Sequence, residues 1–305
     1  MPVSPRDIAT IIVTYNGEDW IGNCLSSIFQ STCKTDIIVV DNGSSDTSLE
    51  ILAGFSSQIE LIKVDNNLGF GGANNVGIKV AIQKGYNYVF LLNQDTWVES
   101  GAIESLVKAL DEHPEYGILS PVHMNGEGSG FDKNFKKFVN RYKQVKTPFH
   151  EGNLADHTSP IAVSFVNAAA WMVSSVCVEK VGLFNPLFYH YAEDNNYCHR
   201  AIHKGWKIGV IKEATIYHDR AYRKANYSPT LDFDRETTLS LSNPNHKRTS
   251  ARQFLVAVAK MIEISTKIRF YKIPGFMSWA FRRFFVLKAK VESFDEDALH
   301  DFDNR

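Results

Sequence analysis

Polar side chains follow each of four buried-looking apolar runs in the first 100 residues of the chain. The polar groups are TYN at 14–16, DNGSSD at 41–46, NNLGFGG at 66–72 and NQD at 93–95. None of them contains Lys or Arg. Carboxylate and amide oxygens can bind a hard divalent cation or accept hydrogen bonds from a polar ligand. The chemistry expected here is therefore the binding of a cation together with a polar ligand.

These polar groups come directly after predicted strands, and predicted helices separate the strands. Strands are expected at 8–14, 36–41, 59–64 and 88–92, with a fifth at 117–121. Helices are expected at 20–31, from 47, at 72–84 and at 102–110. This alternation predicts an α/β fold with a mostly parallel sheet flanked by helices. Ligands bind beyond the carboxyl ends of such strands, so the four polar groups should share one edge.

The second half of the chain has a different pattern. Residues 123–160 are rich in Gly, Asn, Lys and His and have weak periodicity, which predicts an insertion or a mobile loop. Strands are expected at 161–165, 169–174, 207–211 and 215–217, and a helix at 194–204. Beyond about residue 235 only helices are predicted. We therefore expect a catalytic domain at 1–234 and a helical C-terminal region at 235–305.

Composition excludes several classes of protein. The chain is 44% hydrophobic and 22% charged, with a net charge of −1, which argues against a nucleic-acid-binding protein. The four cysteines form no CxxC pair, and we expect reduced thiols in a cytosolic protein. The first residues do not resemble a signal peptide, and no run of 18 apolar residues predicts a transmembrane helix.

Five motifs occur in order over residues 8–220 and carry a specific resemblance. They are IIVTYN, IIVVDNGSSD, NNLGFGGANNVGI, LLNQDTWV and YAEDNNYCHRAIHKGW. As a set they resemble family 2 glycosyltransferases with the GT-A fold, especially the bacterial rhamnosyltransferase-like branch. The GFGGAN stretch is not a dinucleotide fingerprint, because Asn74 stands where the third glycine is needed.

The resemblance implies that a nucleotide-sugar donor lies across the carboxyl edge of the sheet. An Asp-x-Asp motif would hold Mg²⁺ or Mn²⁺ against the donor diphosphate, but Asn93 replaces the first Asp and only Asp95 is retained. We therefore predict Asp95 as the metal ligand, Asn93 and Gln94 as donor contacts, and weaker metal binding than at two carboxylates. His218 is predicted as a second ligand to the cation or the diphosphate.

The same resemblance places six further side chains at the nucleotide. They are Thr14, Tyr15, Asn16, Asp41, Asn74 and Asn75. Tyr15 is expected to pack on the base, and Asp41 to accept a hydrogen bond from the base or the ribose. The two residues at 74 and 75 should face the nucleotide or the turn after the fourth strand.

The resemblance also implies an inverting reaction with one general base beside the acceptor hydroxyl. By match to the family's Glu-Asp motif, Asp194 is the predicted base, and Glu193 supports it or binds the acceptor. A helix N-terminus should keep Asp194 ionised; the alternative is that Asp194 only caps this helix. Arg200 is expected to form an ion pair that orders the segment. Trp171 is either a sugar-binding wall or a core residue.

Residues 267–290 contain seven Lys or Arg, no acidic residue and several large aromatic residues. The sequence predicts two helices here, interrupted at Pro274 and Gly275. One interpretation is an interfacial patch that contacts an anionic membrane. The other is packing against the catalytic domain or against a second copy of the chain in a homodimer.

The function predicted from these features is an inverting glycosyltransferase in cell-surface polysaccharide synthesis. The donor would be dTDP-rhamnose or a UDP-hexose, with rhamnose favoured, and the acceptor a saccharide or lipid-linked saccharide. The expected location is cytoplasmic, at the inner face of the cell membrane. One alternative is a sugar-phosphate nucleotidyltransferase, although residues 8–33 lack the Lys or Arg that a triphosphate requires. Another is a non-catalytic nucleotide-sugar-binding protein, although Asp95, Glu193 and Asp194 are retained.

Overall fold

The first four strands form from unbroken apolar runs and pair in parallel. A computed structural model of the chain describes residues 7–142, 150–220, 228–246, 249–267 and 272–303. The strands are β1 (Ile8–Thr14), β2 (Asp36–Asp41), β3 (Glu60–Lys63) and β4 (Tyr88–Asn93). They lie in the order β3-β2-β1-β4, and each neighbouring pair is parallel. Their carboxyl ends therefore share one edge of the sheet.

Helices cover both faces of this parallel half. They are α1 (Ile21–Phe29), α2 (Ser48–Ala53), α3 (Gly69–Gln83) and α4 (Ala102–Glu112). Successive residues of a strand point to opposite faces. Accordingly, Ile11 of β1 packs in one core with Ile78 of α3. Its neighbour Ile12 packs in a second core with Leu25 of α1 and Leu106 of α4.

The second half makes the sheet mixed and nine-stranded. Its strands are β5 (Thr96–Val98), β6 (Tyr116–Asn125), β7 (Ile161–Val163), β8 (Ala170–Ser174) and β9 (Lys207–His218). The sheet continues from β4 in the order β8-β6-β9-β5, and β7 also pairs with β9. Of the strand pairs that the described residues form in this half, β6–β9 is parallel and the others are antiparallel. The predicted α/β class with flanking helices is confirmed.

Part of the segment predicted as an insertion or mobile loop, 123–160, has regular structure. β6 continues to Asn125, and α5 (Lys133–Tyr142) and a 3₁₀ turn (Glu151–Asp156) follow. Residues 143–149 lie outside the described residues. Phe135 of α5 is completely buried in the same core as α3, which anchors this helix to the sheet.

The remaining helices are α6 (Ser175–Val181), α7 (Glu193–His203), α8 (Pro229–Leu241), α9 (Ser250–Ser265) and α10 (Ile273–Glu292). The last three pack around their own apolar cluster, which includes Phe233, Met261 and Phe284. Pro274 lies in the first turn of α10 rather than between two helices. Among the described residues, no helix combines the length and hydrophobicity needed to cross a bilayer.

Candidate functional site

A cleft of about 320 Å³ opens at the carboxyl edge of the sheet, between the ends of β1 and β4 and the start of α7. We call it the main cleft. The predicted site residues that line it are Tyr15, Asn93, Gln94, Asp95, Glu193 and Asp194. Side chains that are up to 179 positions apart in the sequence, from Tyr15 to Asp194, are thus brought together at one site.

Asp95 and His218 meet because β5 pairs with β9. Thr96 lies opposite His218 in this antiparallel pair, and the backbone N–H of Asp219 donates to the Asp95 carbonyl at 2.9 Å. As a result Asp95 Oδ1 lies 3.4 Å from His218 Nε2, and both side chains are almost completely buried. The two predicted metal ligands are therefore neighbours, with Asp95 lining the main cleft.

The chemistry of this pair fits a divalent cation. Carboxylate oxygen is the ligand that Mg²⁺ and Mn²⁺ prefer, and an imidazole nitrogen is a common second ligand for transition metals. Neither ring nitrogen of His218 has a hydrogen-bond partner within the described residues. In that part of the chain, His, Cys, Asp and Glu side chains form no cluster of three suited to a metal.

Glu193 and Asp194 are the first two residues of α7, and the turn before them aims both carboxyls at the main cleft. Tyr191 and Ala192 have φ values of 65° and 71°, in the left-handed region that non-glycine residues rarely adopt. Because Ala192 is the N-cap residue, Asp194 lies in the first turn of the helix rather than at the cap position. The alternative of a purely capping Asp194 is thereby disfavoured.

Burial controls the protonation of this pair. Burial first, and the charge of Asp194 second, raise the pKa of the Glu193 carboxyl to about 8. Burial also raises the pKa of Asp194, although the N–H groups of Asn195 and Ala168 oppose this effect. The Asn195 N–H donates to Asp194 Oδ1 at 2.8 Å. The pKa values of both carboxyls are therefore raised, and Asp194 is the one whose charged form the Asn195 and Ala168 N–H groups stabilise.

Gln94 is fixed by the end of β1 rather than free to turn toward a ligand. Its Oε1 accepts from the Thr14 hydroxyl at 2.7 Å and from the Tyr15 N–H at 2.8 Å. Its Nε2 donates to the Tyr15 carbonyl at 3.2 Å. Thr14 and Gln94 thus join the ends of β1 and β4, and they leave the Tyr15 side chain 45% exposed at the main cleft.

Asn16 and Asp41 organise the loop after β2. Asn16 Oδ1 accepts from the Ser45 N–H at 2.8 Å, which holds this loop against the end of β1. Asp41 is 2% exposed, and its Oδ2 accepts from the Ser44 N–H at 3.3 Å. Its Oδ1 has no hydrogen-bond partner among the described residues. Asp41 therefore retains one acceptor oxygen, whereas Asn16 is bonded to the loop.

Asn74 and Asn75 lie away from the main cleft. The buried Asn74 donates from Nδ2 to the Phe70 carbonyl of its own helix at 2.9 Å. Asn75 forms two hydrogen bonds with the backbone of Phe184, at 2.9 and 2.7 Å, and lines a separate cavity behind α3. The amide of Asn75 therefore ties α3 to the segment after α6.

Trp171 and Arg200 both have structural roles outside the main cleft. Trp171 is completely buried and stacks on Phe184 at 6.3 Å between ring centroids, so it is a core residue and not a sugar wall. The prediction that Arg200 forms an ion pair is wrong for the described residues, among which its side chain has no carboxylate partner. Its guanidinium instead donates to the carbonyls of Val181 and Leu183 and to Asn196 Oδ1, and these neutral acceptors replace a carboxylate.

Sequence reasoning missed several residues that line the main cleft. They are Asn42, Asn67, Phe70, Asn167, His190, Tyr191 and Arg220. Asn42 and Asn67 belong to the polar groups at 41–46 and 66–72, so their position at strand ends could have predicted that they line the cleft. Arg220 follows His218 by two residues, but nothing in its local sequence indicates that it faces the cleft.

Known proteins resemble this chain in sequence and in fold. The profile of the family described as glycosyl transferase family 2 matches residues 9–171. The low-salt glycan biosynthesis hexosyltransferase Agl10 of Haloferax volcanii is 26% identical over 236 residues, or 74% of this chain and 73% of that protein. The dTDP-rhamnosyl transferase RfbF of Shigella flexneri is 28% identical over 216 residues, or 70% of this chain and 69% of that protein.

Among solved structures, S. aureus TarS 1–349 in complex with UDP-GlcNAc superposes with a TM-score of 0.64. It is 16% identical, and the match covers 94% of this chain and 83% of that one. GalNAc-T7 with UDP, GalNAc and Mn²⁺ superposes with a TM-score of 0.55 at 14% identity, covering 76% of this chain and 48% of that one. At these identities the likeness concerns the fold.

Proposed function

The chain belongs to glycosyl transferase family 2, and we propose that it transfers a hexose from a nucleoside diphosphate donor to a saccharide acceptor with inversion. Family membership makes it a glycosyltransferase, and the donor, the acceptor and the residue roles are the proposal. The observation that carries it is the convergence of Asp95 with Glu193 and Asp194 on the main cleft. A metal-binding carboxylate beside a candidate base is what this reaction requires.

The proposed donor is dTDP-rhamnose or a UDP-hexose, and rhamnose is favoured. One relative is described as a dTDP-rhamnosyl transferase, and one structural neighbour was solved with UDP-GlcNAc. In the main cleft, the exposed Tyr15 ring supports stacking on the base, and Asn93 supports a contact with the sugar. Asp41 offers its unpartnered oxygen to the base or the ribose. Asn74 and Asn75 are left out of the proposed donor site.

The proposed metal site is Asp95 together with His218. A divalent cation bound there would place positive charge beside the departing diphosphate. GalNAc-T7, a structural neighbour, was solved with Mn²⁺. Because this chain offers one carboxylate and one imidazole instead of two carboxylates, we expect weak cation binding before the donor is present.

In the proposed reaction, Asp194 takes the proton of the acceptor hydroxyl. The acceptor oxygen bonds to the anomeric carbon as the bond from that carbon to the diphosphate oxygen breaks. The products are the glycosylated acceptor and the nucleoside diphosphate, and the proton remains on Asp194 until solvent removes it. Glu193, protonated at neutral pH by virtue of its raised pKa, supplies a hydrogen-bond donor beside the base.

We further propose that the enzyme works on saccharides of cell-surface polymers and contacts the inner face of the membrane through α9 and α10. Exposed Leu255, Ile262, Phe281 and Phe285 lie on these helices, in a region with a basic excess. A homodimer through the same surface is the competing interpretation. The cytoplasmic location stays a prediction.

A thermal-shift screen of nucleotide sugars with Mn²⁺ or Mg²⁺ tests the proposed function. We expect one dTDP- or UDP-sugar to raise the melting temperature in the presence of the cation, because a ligand that binds only the folded state stabilises it. Asp95→Ala should abolish this shift, whereas Asp65→Ala, an exposed carboxylate outside the main cleft, should retain it. A shift of equal size in Asp95→Ala would contradict the proposed metal site.

A further inference from the structure

A second cleft of about 430 Å³ adjoins the main cleft on the other side of Asp194. We call it the side cleft; it lies among α5, the start of α7, α8 and α9. Within the described part of the chain, four residues line both clefts: Asn167, Tyr191, Asp194 and Arg220. Asp194, the candidate base, therefore lines both clefts. The proposed donor occupies the main cleft, which leaves the side cleft for a second ligand.

From this geometry we infer that the side cleft binds the acceptor, and that the acceptor is a saccharide that carries phosphate. The inference rests on the proposed function and deepens it. In an inverting transfer the base must touch the acceptor hydroxyl while that hydroxyl faces the anomeric carbon of the donor. A donor in the main cleft and an acceptor in the side cleft both reach Asp194, and their binding sites do not overlap elsewhere than at the shared wall.

The walls of the side cleft offer surfaces that suit a sugar ring. Four residues of α5 line the cleft with a helical spacing of 134, 137, 138 and 141, which places Asn134, Lys137, Phe138 and Arg141 on one side of the helix. Phe138 packs edge-to-face on Phe165, with 5.1 Å between ring centroids. Tyr191, 65% exposed, stands at the entrance to the main cleft. Aromatic surface beside amide groups can stack on a pyranose and bond its hydroxyls.

The charges of the side cleft indicate an anionic group on the acceptor. Its acidic residues other than Asp194 already have cationic partners. Arg235 contacts Asp232 at 2.6 Å, and Lys260 contacts Glu263 at 2.8 Å and Glu236 at 3.5 Å.

Two cations remain without such partners. Among the described residues, the side chains of Lys137 and Arg220, which both line the cleft, make no hydrogen bond or ion pair. The cleft therefore has a surplus of cations that a phosphate can neutralise. The phosphate can belong to a lipid diphosphate that carries the saccharide or to a phosphate on the sugar itself.

Titration calorimetry with three saccharide probes tests this inference on the full-length chain. The probes are phenylundecyl diphosphate N-acetylglucosamine, glucose 6-phosphate and the neutral octyl β-glucoside, each titrated with and without Mn²⁺ and either UDP or dTDP. We expect at least one phosphate probe to bind roughly tenfold more tightly than the neutral probe, since one unpaired cation contributes on this scale. Preference for the first probe identifies a lipid diphosphate, and equal binding of both identifies the sugar phosphate.

Lys137→Glu is the decisive variant, because Lys137 lines the side cleft and not the main cleft. It should remove the preference for phosphate and leave UDP binding unchanged. Lys133→Glu makes the same charge change on the exposed surface of α5, outside both clefts, and should bind all probes as the wild type does. Lys137→Glu behaving as Lys133→Glu would overturn the inference.

The UDP titration separates this inference from the proposed function. Wild-type protein that binds UDP or dTDP with Mn²⁺ but does not prefer phosphate-bearing saccharides overturns the assignment of the side cleft, and the proposed function stands. Wild-type protein that binds neither UDP nor dTDP in the presence of Mn²⁺ overturns the proposed function, and the acceptor role of the side cleft falls with it.

Discussion

At the residue scale, the pair at the start of α7 shows what sequence can and cannot assign. The motif YAEDNN placed two carboxyls at one helix start, and both do line the main cleft. The sequence predicted that the helix N-terminus keeps Asp194 ionised, but it did not predict that burial raises the pKa of both carboxyls. Residues far away in the sequence, such as Asn93 and Ala168, line the main cleft together with this pair, so no local pattern reveals its burial.

Substitution of each carboxyl by its amide should separate their roles. We expect Asp194→Asn to lower the rate of transfer, or of slow donor hydrolysis, by about 10²–10⁴-fold, which is the usual contribution of a general base. Glu193→Gln should cost much less, because an amide replaces a carboxyl that is protonated at neutral pH. Release of nucleoside diphosphate from the stabilising donor measures both rates. The opposite order of effects would make Glu193 the base.

The raised pKa of Glu193 also predicts how stability depends on pH. The folded protein holds the Glu193 proton up to a pKa of about 8, whereas the unfolded chain releases it near 4.5. The wild type should therefore lose stability as pH rises between these values. Glu193→Gln removes this loss, so its free energy of unfolding relative to the wild type should increase by at least ~1 kcal/mol from pH 5 to pH 8.5. Urea unfolding across this pH range measures the difference.

A control variant excludes general effects of pH on this measurement. Glu112→Gln changes a glutamate on α4 whose side chain is 59% exposed, whereas Glu193 is buried. Its stability relative to the wild type should change little over the same pH range. If the free energy of unfolding of Glu193→Gln relative to the wild type also stayed constant over this pH range, Glu193 would be ionised in the folded protein.

At the element scale, the sheet explains why some parts were predictable. The run DIIVVD is a continuous apolar stretch between polar residues, and β2 spans the same residues that the sequence predicted, Asp36–Asp41. The three residues of β5 carry too little pattern to predict a strand, and β5 exists because β9 pairs with it. This pairing is what brings His218 to Asp95, 123 positions earlier in the chain. The sequence predicted two strands, at 207–211 and 215–217, but the segment 207–218 forms the single strand β9. Its pairing with β6 continues across a register shift between Ile211 and Thr215.

Gly69, at the start of α3, lets the segment before α7 approach the sheet edge. It has a φ of +75°, and a Cβ atom at this position would lie 2.2 Å from the Tyr189 carbonyl oxygen. Gly69→Ala should lower the free energy of unfolding by about 2 kcal/mol or more, because left-handed backbone alone costs roughly 1–2 kcal/mol and the clash adds to it. It should also weaken UDP binding, because the displaced segment carries His190 and Tyr191 of the main cleft.

Gly101→Ala is the matched control for this element. Gly101 precedes α4 at a φ of −90°, and a Cβ atom there would meet nothing within 4 Å. Thermal unfolding and a UDP titration on both variants provide the measurement. Equal behaviour of the two alanine variants would show that the approach of Tyr189 to α3 does not shape the site.

At the scale of the whole molecule, α8 connects the sheet to the helical C-terminal region. It begins at Pro229, within the predicted catalytic domain 1–234, and packs with α9 and α10 around Phe233. Asp234 of α8 accepts a forked hydrogen bond from Arg283 of α10, at 2.7–3.0 Å. On its other side, Asn196 of α7 donates to Ser242 at 3.1 Å. The boundary at 234/235 stays a prediction, and these contacts support treating α8 as part of the acceptor side of the enzyme.

The outer surface of α9 and α10 carries the final prediction, which concerns how the whole molecule meets a membrane. Leu255, Ile262, Phe281, Phe285 and Val286 are 48–65% exposed there. The ring of Phe254 lies beneath two of them, 5.7 Å from Phe281 and 6.2 Å from Phe285. No acidic residue occurs between Glu263 and Glu292 in the sequence, so the charges around this apolar surface in α10 are cationic. Apolar surface with a cationic border is the combination that binds anionic bilayers.

The protein should therefore cosediment with vesicles that contain phosphatidylglycerol and not with neutral phosphatidylcholine vesicles. The double variant Phe281→Ser and Phe285→Ser should lower the vesicle partition coefficient by roughly tenfold or more, since burial of one large apolar side chain contributes about 1.5–3 kcal/mol and these two are half-exposed already. Val176→Ser, which changes an equally exposed residue on α6, should have no effect. If instead the wild type ignores both kinds of vesicle and sediments as a dimer that the double variant dissociates, the surface joins two copies of the chain and the membrane interpretation is wrong.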